Sequence, residues 1–180
     1  MRFSRKQVLS LVSFFVLLLL AFGSTDNEKS SSDGTTATTT TKKSVNIKEP
    51  LNTTYFAVTV NSVNVKNRVR TGNQFADLKP EAGSSYLILN TTFKNIDNES
   101  RMLSDGAVII NYNGKDYNFD KSETVMLKGW GILMEQLNPL TSITTNLVYK
   151  IPAEISGQAY YYPGRSASGD RIYIGEVKGK

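Results

Sequence analysis

Residues 86–97 read YLILNTTFKNID, and the reading of this stretch decides the fold. Leu87, Leu89, Thr91 and Phe93 recur at period two, with Ile88 on the other side. Such a pattern describes a strand with one face in a core and the opposite face partly covered. The polar run 95–100 ends it. One strand cannot bury such a face alone, so the remaining apolar segments must supply a facing sheet.

Those segments lie on both sides of it. Upstream, residues 55–65 keep Phe56, Val58 and Val60 in one phase and Val63 and Val65 in the other. A phase change near Asn61 and Ser62 predicts a β-bulge. The polar connection 66–85 is expected to be pinned to the body by Phe75 and Leu78. Downstream, residues 105–112 carry Val108, Ile109 and Ile110, and Asn113-Gly114 separates them from Tyr117 and Phe119. Asn-Gly between two short runs predicts a hairpin, because both residues tolerate positive φ. Gly129-Trp130-Gly131 breaks any helix within 125–137 and leaves an exposed loop or a tight approach around the indole. Ile143, Thr145, Leu147, Tyr149 and Ile151 then alternate along 141–151, with Pro152 as the stop. Residues 158–162 and 171–177 read as two further strands. No segment holds a period of 3.6. Short strands punctuated by turns predict an all-β, antiparallel, immunoglobulin-like sandwich of about seven to nine strands.

Outside this body the chain changes character. Met1–Lys6 is basic, residues 8–22 are apolar apart from Ser10 and Ser13, and Ala21 and Gly23 are small. That order is a secretory signal. The rival is a retained membrane anchor, which the length disfavours: a helix over residues 8–23 spans about 24 Å against roughly 30 Å of hydrocarbon. Ser24 stands where a bacterial lipoprotein carries its lipidated Cys, so no diacylglycerol can attach there. Residues 24–50 hold a Ser/Thr-rich run, TTATTTTKK, with too little apolar surface to order itself. The domains expected are therefore residues 1–23 as signal or anchor, 24–50 as disordered linker, and 51–180 as sandwich. The destination is the cell envelope or the extracellular space.

Composition removes much chemistry. The 180 residues contain no Cys and no His. Disulfides, thiol nucleophiles, thiolate or imidazole metal sites and a Ser-His-Asp triad are thereby excluded. The net charge of +5 falls to 18 basic against 16 acidic side chains once residues 1–23 are set aside. The basic excess thus reflects targeting, and no nucleic-acid partner is expected. No Gly-rich phosphate loop opens a helix, so no cofactor is expected either. Membrane contact is expected only through residues 8–23, if they are kept.

The pattern Gly83-x-x-Tyr86-Leu-Ile-Leu-Asn-x-x-Phe93-Lys-Asn95 follows a strand reading FAVTVNSVNV and precedes LNPLTSITTNLVYKIP at 137–152. With the leader and linker, this is similar to a family of small bacterial secreted or lipid-anchored immunoglobulin-like domains of unknown function, family 4352 of the unknown-function domains. Its well-known fold relative is a mycobacterial immunoprotective secreted antigen. The resemblance implies a sandwich at the cell surface and carries over no site residues. The Gly/Ser-rich loop 163–170 is one departure from it; Ser24 is the other.

Two candidate sites remain. Trp130 with Tyr160, Tyr161, Tyr162 and Arg165 forms an interaction surface if the tyrosines lie outside, since Tyr, Trp and Arg concentrate at recognition hot spots. Alternating packing of the tyrosines on the sheet competes with that reading. Asp105, Asp116, Asp120 and Glu123 surround the hairpin and offer oxygen ligands to Ca²⁺, although they lack an EF-hand order. The functions to weigh are a non-enzymatic module binding a protein or other envelope macromolecule, a small-ligand or Ca²⁺-binding protein, and a carboxylate-only hydrolase.

Overall fold

The structure is a computed structural model and describes residues 42–164 and 169–180. The expected signal or anchor, residues 24–41 of the linker, and Arg165 lie outside the described residues. In chain order the strands are β1 (Ser44–Asn46), β2 (Leu51–Asn52), β3 (Phe56–Lys66), β4 (Ser84–Asn95), β5 (Arg101–Met102) and β6 (Ala107–Tyr112). They continue with β7 (Lys115–Phe119), β8 (Gln136–Leu137), β9 (Ser142–Pro152), β10 (Ser156–Tyr162) and β11 (Arg171–Lys178).

Two sheets pack face to face, ordered β2-β3-β4-β9 and β1-β11-β10-β6-β7, and a small β5-β8 ribbon accompanies them. The immunoglobulin-like sandwich expected from the alternation is what forms. β4 is central, antiparallel to β3 on one side and to β9 on the other. Its Leu87, Leu89 and Phe93 meet Leu147, Tyr149 and Ile151 of β9, and Val108, Ile110, Tyr161 and Ile172 come from the opposite sheet. Complete burial of each such side chain stabilises the fold by about 1.5–3 kcal/mol.

Irregularities keep these phases inward. The β3–β4 register shifts between Val60 and Ser62, so Val63 and Val65 rejoin the core. A second shift, at Ala159/Tyr160, sits opposite Gly175, whose φ of 95° carries Val177 inward after Ile172 and Ile174. Asn113 and Gly114, both at positive φ, close the β6–β7 hairpin. The sheets are also latched. The hydroxyls of Tyr149 from one sheet and Tyr161 from the other both donate to the backbone carbonyl of Asp105. Gly106 is required beside this latch: its φ is 71°, and a Cβ there would lie 2.4 Å from the Tyr162 carbonyl oxygen.

Two expectations need correction. The sandwich begins upstream of residue 51, because β1 pairs in parallel with β11 and the Lys43 amide donates to Asp170. Only Val45 is apolar in that short strand, so its sequence carries no alternation. Leu78 does help to hold the 66–85 connection, but Phe75 is 89% exposed. Val69 takes that role: it is fully buried and exchanges two backbone hydrogen bonds with Leu78.

Candidate functional site

The outer faces of the two sheets differ, and this difference locates the site. On the four-stranded sheet, Tyr86, Ile88 and Val148 point away from the core. They are roofed by Val69, Leu78, Val125, Leu127 and Trp130 from two loops. The second loop also occupies the open edge of β9: Glu123 donates to Val148, Gly131 donates to Asn146, and Asn146 donates to Gly129. Gly129-Trp130-Gly131 is therefore a tight approach, made possible by φ values of 84° and 69° at the glycines. Trp130 is a half-buried roof member.

Among the described residues, the outer face of the five-stranded sheet has no such roof, and no second apolar cluster forms on it. Alternation along β10 sends Ala159 and Tyr161 into the core and Tyr160 outward. Tyr160 lies opposite Tyr173 of β11 and Ile109 of β6. The two rings are 5.3 Å apart and tilted by 48°. The Arg171 guanidinium sits 4.0 Å from the Tyr160 ring centroid and donates to the Tyr162 hydroxyl at 3.3 Å. That hydrogen bond outweighs desolvation and raises the Arg171 pKa further. Cation–π contact and hydrogen bond together fix an otherwise flexible side chain. Gln158, Asn111 and Asn118 stand exposed nearby and add amide donors and acceptors.

The predicted surface is thus divided. Tyr160 belongs to the open face, and Tyr162 stands beside Arg171 but is 95% covered. Tyr161 is a core residue, and Trp130 belongs to the other sheet. Three consecutive aromatic residues carry no period of their own, so the sequence could not show which of them faces outward. Arg171 and Tyr173 were missed; the Arg-x-Tyr spacing within a terminal strand was the available signal.

The acidic set is not assembled. Asp105 accepts from the Ser122 hydroxyl at 2.6 Å, Asp116 accepts from Asn111 at 2.7 Å, Glu123 lies 3.7 Å from the Lys150 ammonium, and Asp120 is exposed. Among the described residues no three acidic side chains stand close enough to hold a metal ion. A separate cleft of about 460 Å³ opens at one end of the sandwich. Phe56, Phe93 and Leu103 form its floor, and Tyr55, under the Arg101 guanidinium at 4.3 Å, stands at its rim.

A family model described as "Domain of unknown function (DUF4352)" matches residues 45–172. No curated protein matches the sequence. An uncharacterized β-sandwich protein from Clostridium difficile 630 is 16% identical, with a TM-score of 0.52 over 73% of this chain and 91% of its own. That likeness shows the fold. A conserved hypothetical protein from Bacillus anthracis is 21% identical, with a TM-score of 0.49 over 71% of this chain and 94% of its own. The yjhA protein from Bacillus subtilis is 19% identical, with a TM-score of 0.47 over 72% and 98%.

Proposed function

The chain belongs to the DUF4352 family of domains of unknown function, and we propose that it is an exported, non-enzymatic binding module that docks a protein partner on the face of Tyr160, Arg171 and Tyr173. The supporting observation is the Tyr160–Tyr173 pair with Arg171 fixed over it, on a sheet face that carries no roof among the described residues, while the Tyr86, Ile88 and Val148 part of the opposite face is covered. The outward face of an antiparallel sheet is ordinarily polar. Rigid tyrosines with an anchored Arg and flanking amides are instead the composition of protein-binding surfaces. Export is supported by the leader, and a non-catalytic role by the lack of His and Cys.

The test is a pull-down from the native host with the wild-type chain and with Tyr160→Ala/Tyr173→Ala. Lys94→Ala, exposed on the other sheet, serves as control. A partner held by the wild type and the control and lost by the double variant is expected. A partner that the double variant retains would rule out this face. Intact mass from cells and medium checks export: a species beginning at Ser24 marks a cleaved signal, and the full mass in the membrane marks an anchor.

The end cleft favours a second reading, a small-ligand site, because its size and apolar floor suit a compact ligand. Unchanged melting temperature across a metabolite panel would remove it.

A further inference from the structure

We propose that the segment Lys66–Arg70, with Lys180, forms a binding site for a linear phosphate-bearing polyanion. Lys66, Arg68, Arg70 and Lys180 line one concavity of about 580 Å³, completed by Asn67 and Pro80. No Asp or Glu side chain lines it. Among the described residues the ion pairs are those of Arg101 and Lys150, so none of these four cations is paired.

The cations are mounted on fixed backbone. Val69 is fully buried against the four-stranded sheet and bridged to Leu78 by hydrogen bonds of 3.0 and 3.1 Å. Its extended conformation turns the neighbours Arg68 and Arg70 to the solvent side, where both are exposed. Lys66 closes β3, paired with Tyr86. On the facing side the Lys180 backbone is held by the Ser85 hydroxyl, which donates to an oxygen of the terminal carboxylate and accepts from the Lys180 amide, and this carboxylate offsets part of the positive charge. Like charges crowded around one hollow repel each other, and a multivalent anion relieves that repulsion. Because the backbone is already ordered, binding requires little further ordering. Guanidinium forks match phosphate oxygens in pairs, and the lysines add point charges.

The shape favours a polymer over a membrane. The site is concave, and its only apolar lining residue is Pro80, so it presents nothing to insert into a bilayer. This inference is independent of the tyrosine face, which is on the other sheet.

The probe is long-chain inorganic polyphosphate, titrated by calorimetry into the full chain at about 50 mM salt. Wild-type affinity should fall as salt rises, with a slope of about −2 to −3 in log K against log salt, as three or four neutralised charges dictate. Arg68→Gln/Arg70→Gln should weaken binding at least tenfold without moving the melting temperature. Lys115→Gln/Lys121→Gln removes the same charge elsewhere and should change affinity less than twofold. No wild-type binding, or equal losses in the two double variants, would overturn the site. Anionic-lipid vesicles form the second arm: if Arg68→Gln/Arg70→Gln weakens vesicle binding more than polyphosphate binding, the polymer assignment is wrong and the patch is a membrane contact.

Discussion

The two outer faces of this sandwich begin from the same problem and end differently. Each sheet gives one side to the core, and each carries apolar residues on the other. Behind β4 and β9 the chain covers Tyr86, Ile88 and Val148 with two loops and closes the long β9 edge with the same material. Behind β10 and β11, among the described residues, Tyr160, Tyr173 and Ile109 stay partly exposed and Arg171 lies over Tyr160. Roofed apolar residues contribute to stability. Unroofed aromatic ones contribute little to it, and on that difference the proposed docking face rests.

The hardest break of the comparison is to charge each face in turn. Val148→Asp buries a carboxylate under the roof, where Val148 is fully covered. The expected loss is about 4 kcal/mol or more by denaturant unfolding. Ile109→Asp on the bare face should cost within about 1 kcal/mol. Equal costs would mean that both faces are structural.

Next in size is the roof itself. Trp130→Ala should cost about 2 kcal/mol, below the range for a fully buried indole because this one is half-covered. The amides of Gly131 and Asn146, which tie the loop to β9, should then exchange faster with solvent, while those of β10 stay protected.

How much of this was legible follows from the range of the interactions. Leu87, Leu89, Phe93 and the run from Ile143 to Ile151 announce themselves, because alternation is local and the core reads it directly. Asn113-Gly114 and the bulge near Asn61 are equally local. β1 escaped because Ser44–Asn46 has one apolar residue, and its partner strand lies at the far end of the chain. Val69 escaped because it stands between two arginines in a polar stretch; only the tertiary bridge to Leu78 reveals it. The site was half legible for the same reason. An aromatic run announces a surface, but only register assigns Tyr160 to the outside and Tyr161 to the core.

That division within one strand yields a prediction of about 1 kcal/mol. Burial, reinforced by the nearby Asp105 charge, pushes the Tyr161 hydroxyl well above its ordinary range, and burial does the same for Tyr149. The unfolded chain releases these protons near pH 10, whereas the folded chain holds them. Stability is therefore full below about pH 10 and falls as pH rises beyond it. Tyr161→Phe should cost about 1 kcal/mol at neutral pH, since the Asp105 carbonyl keeps its bond from Tyr149. It should also make the alkaline decline shallower. An unchanged slope in urea unfolding between pH 9 and 11 would show that this hydroxyl does not govern the decline.

The smallest stability effect is expected where the largest binding effect lies. Tyr173→Ala removes one ring of the 5.3 Å pair and leaves Arg171 over Tyr160. A cross-strand aromatic pair on an exposed face contributes roughly 0.2–1 kcal/mol, so the melting temperature should shift by a few degrees at most. Partner retention in the pull-down should nonetheless drop sharply, because a stacked tyrosine at an interface centre often carries 2 kcal/mol or more of binding. The informative quantity is the ratio of the two losses. If Tyr173→Ala costs as much in folding as in binding, the bare face is merely a thinly covered part of the core. A binding loss that far exceeds the folding loss separates the two faces by what each is for.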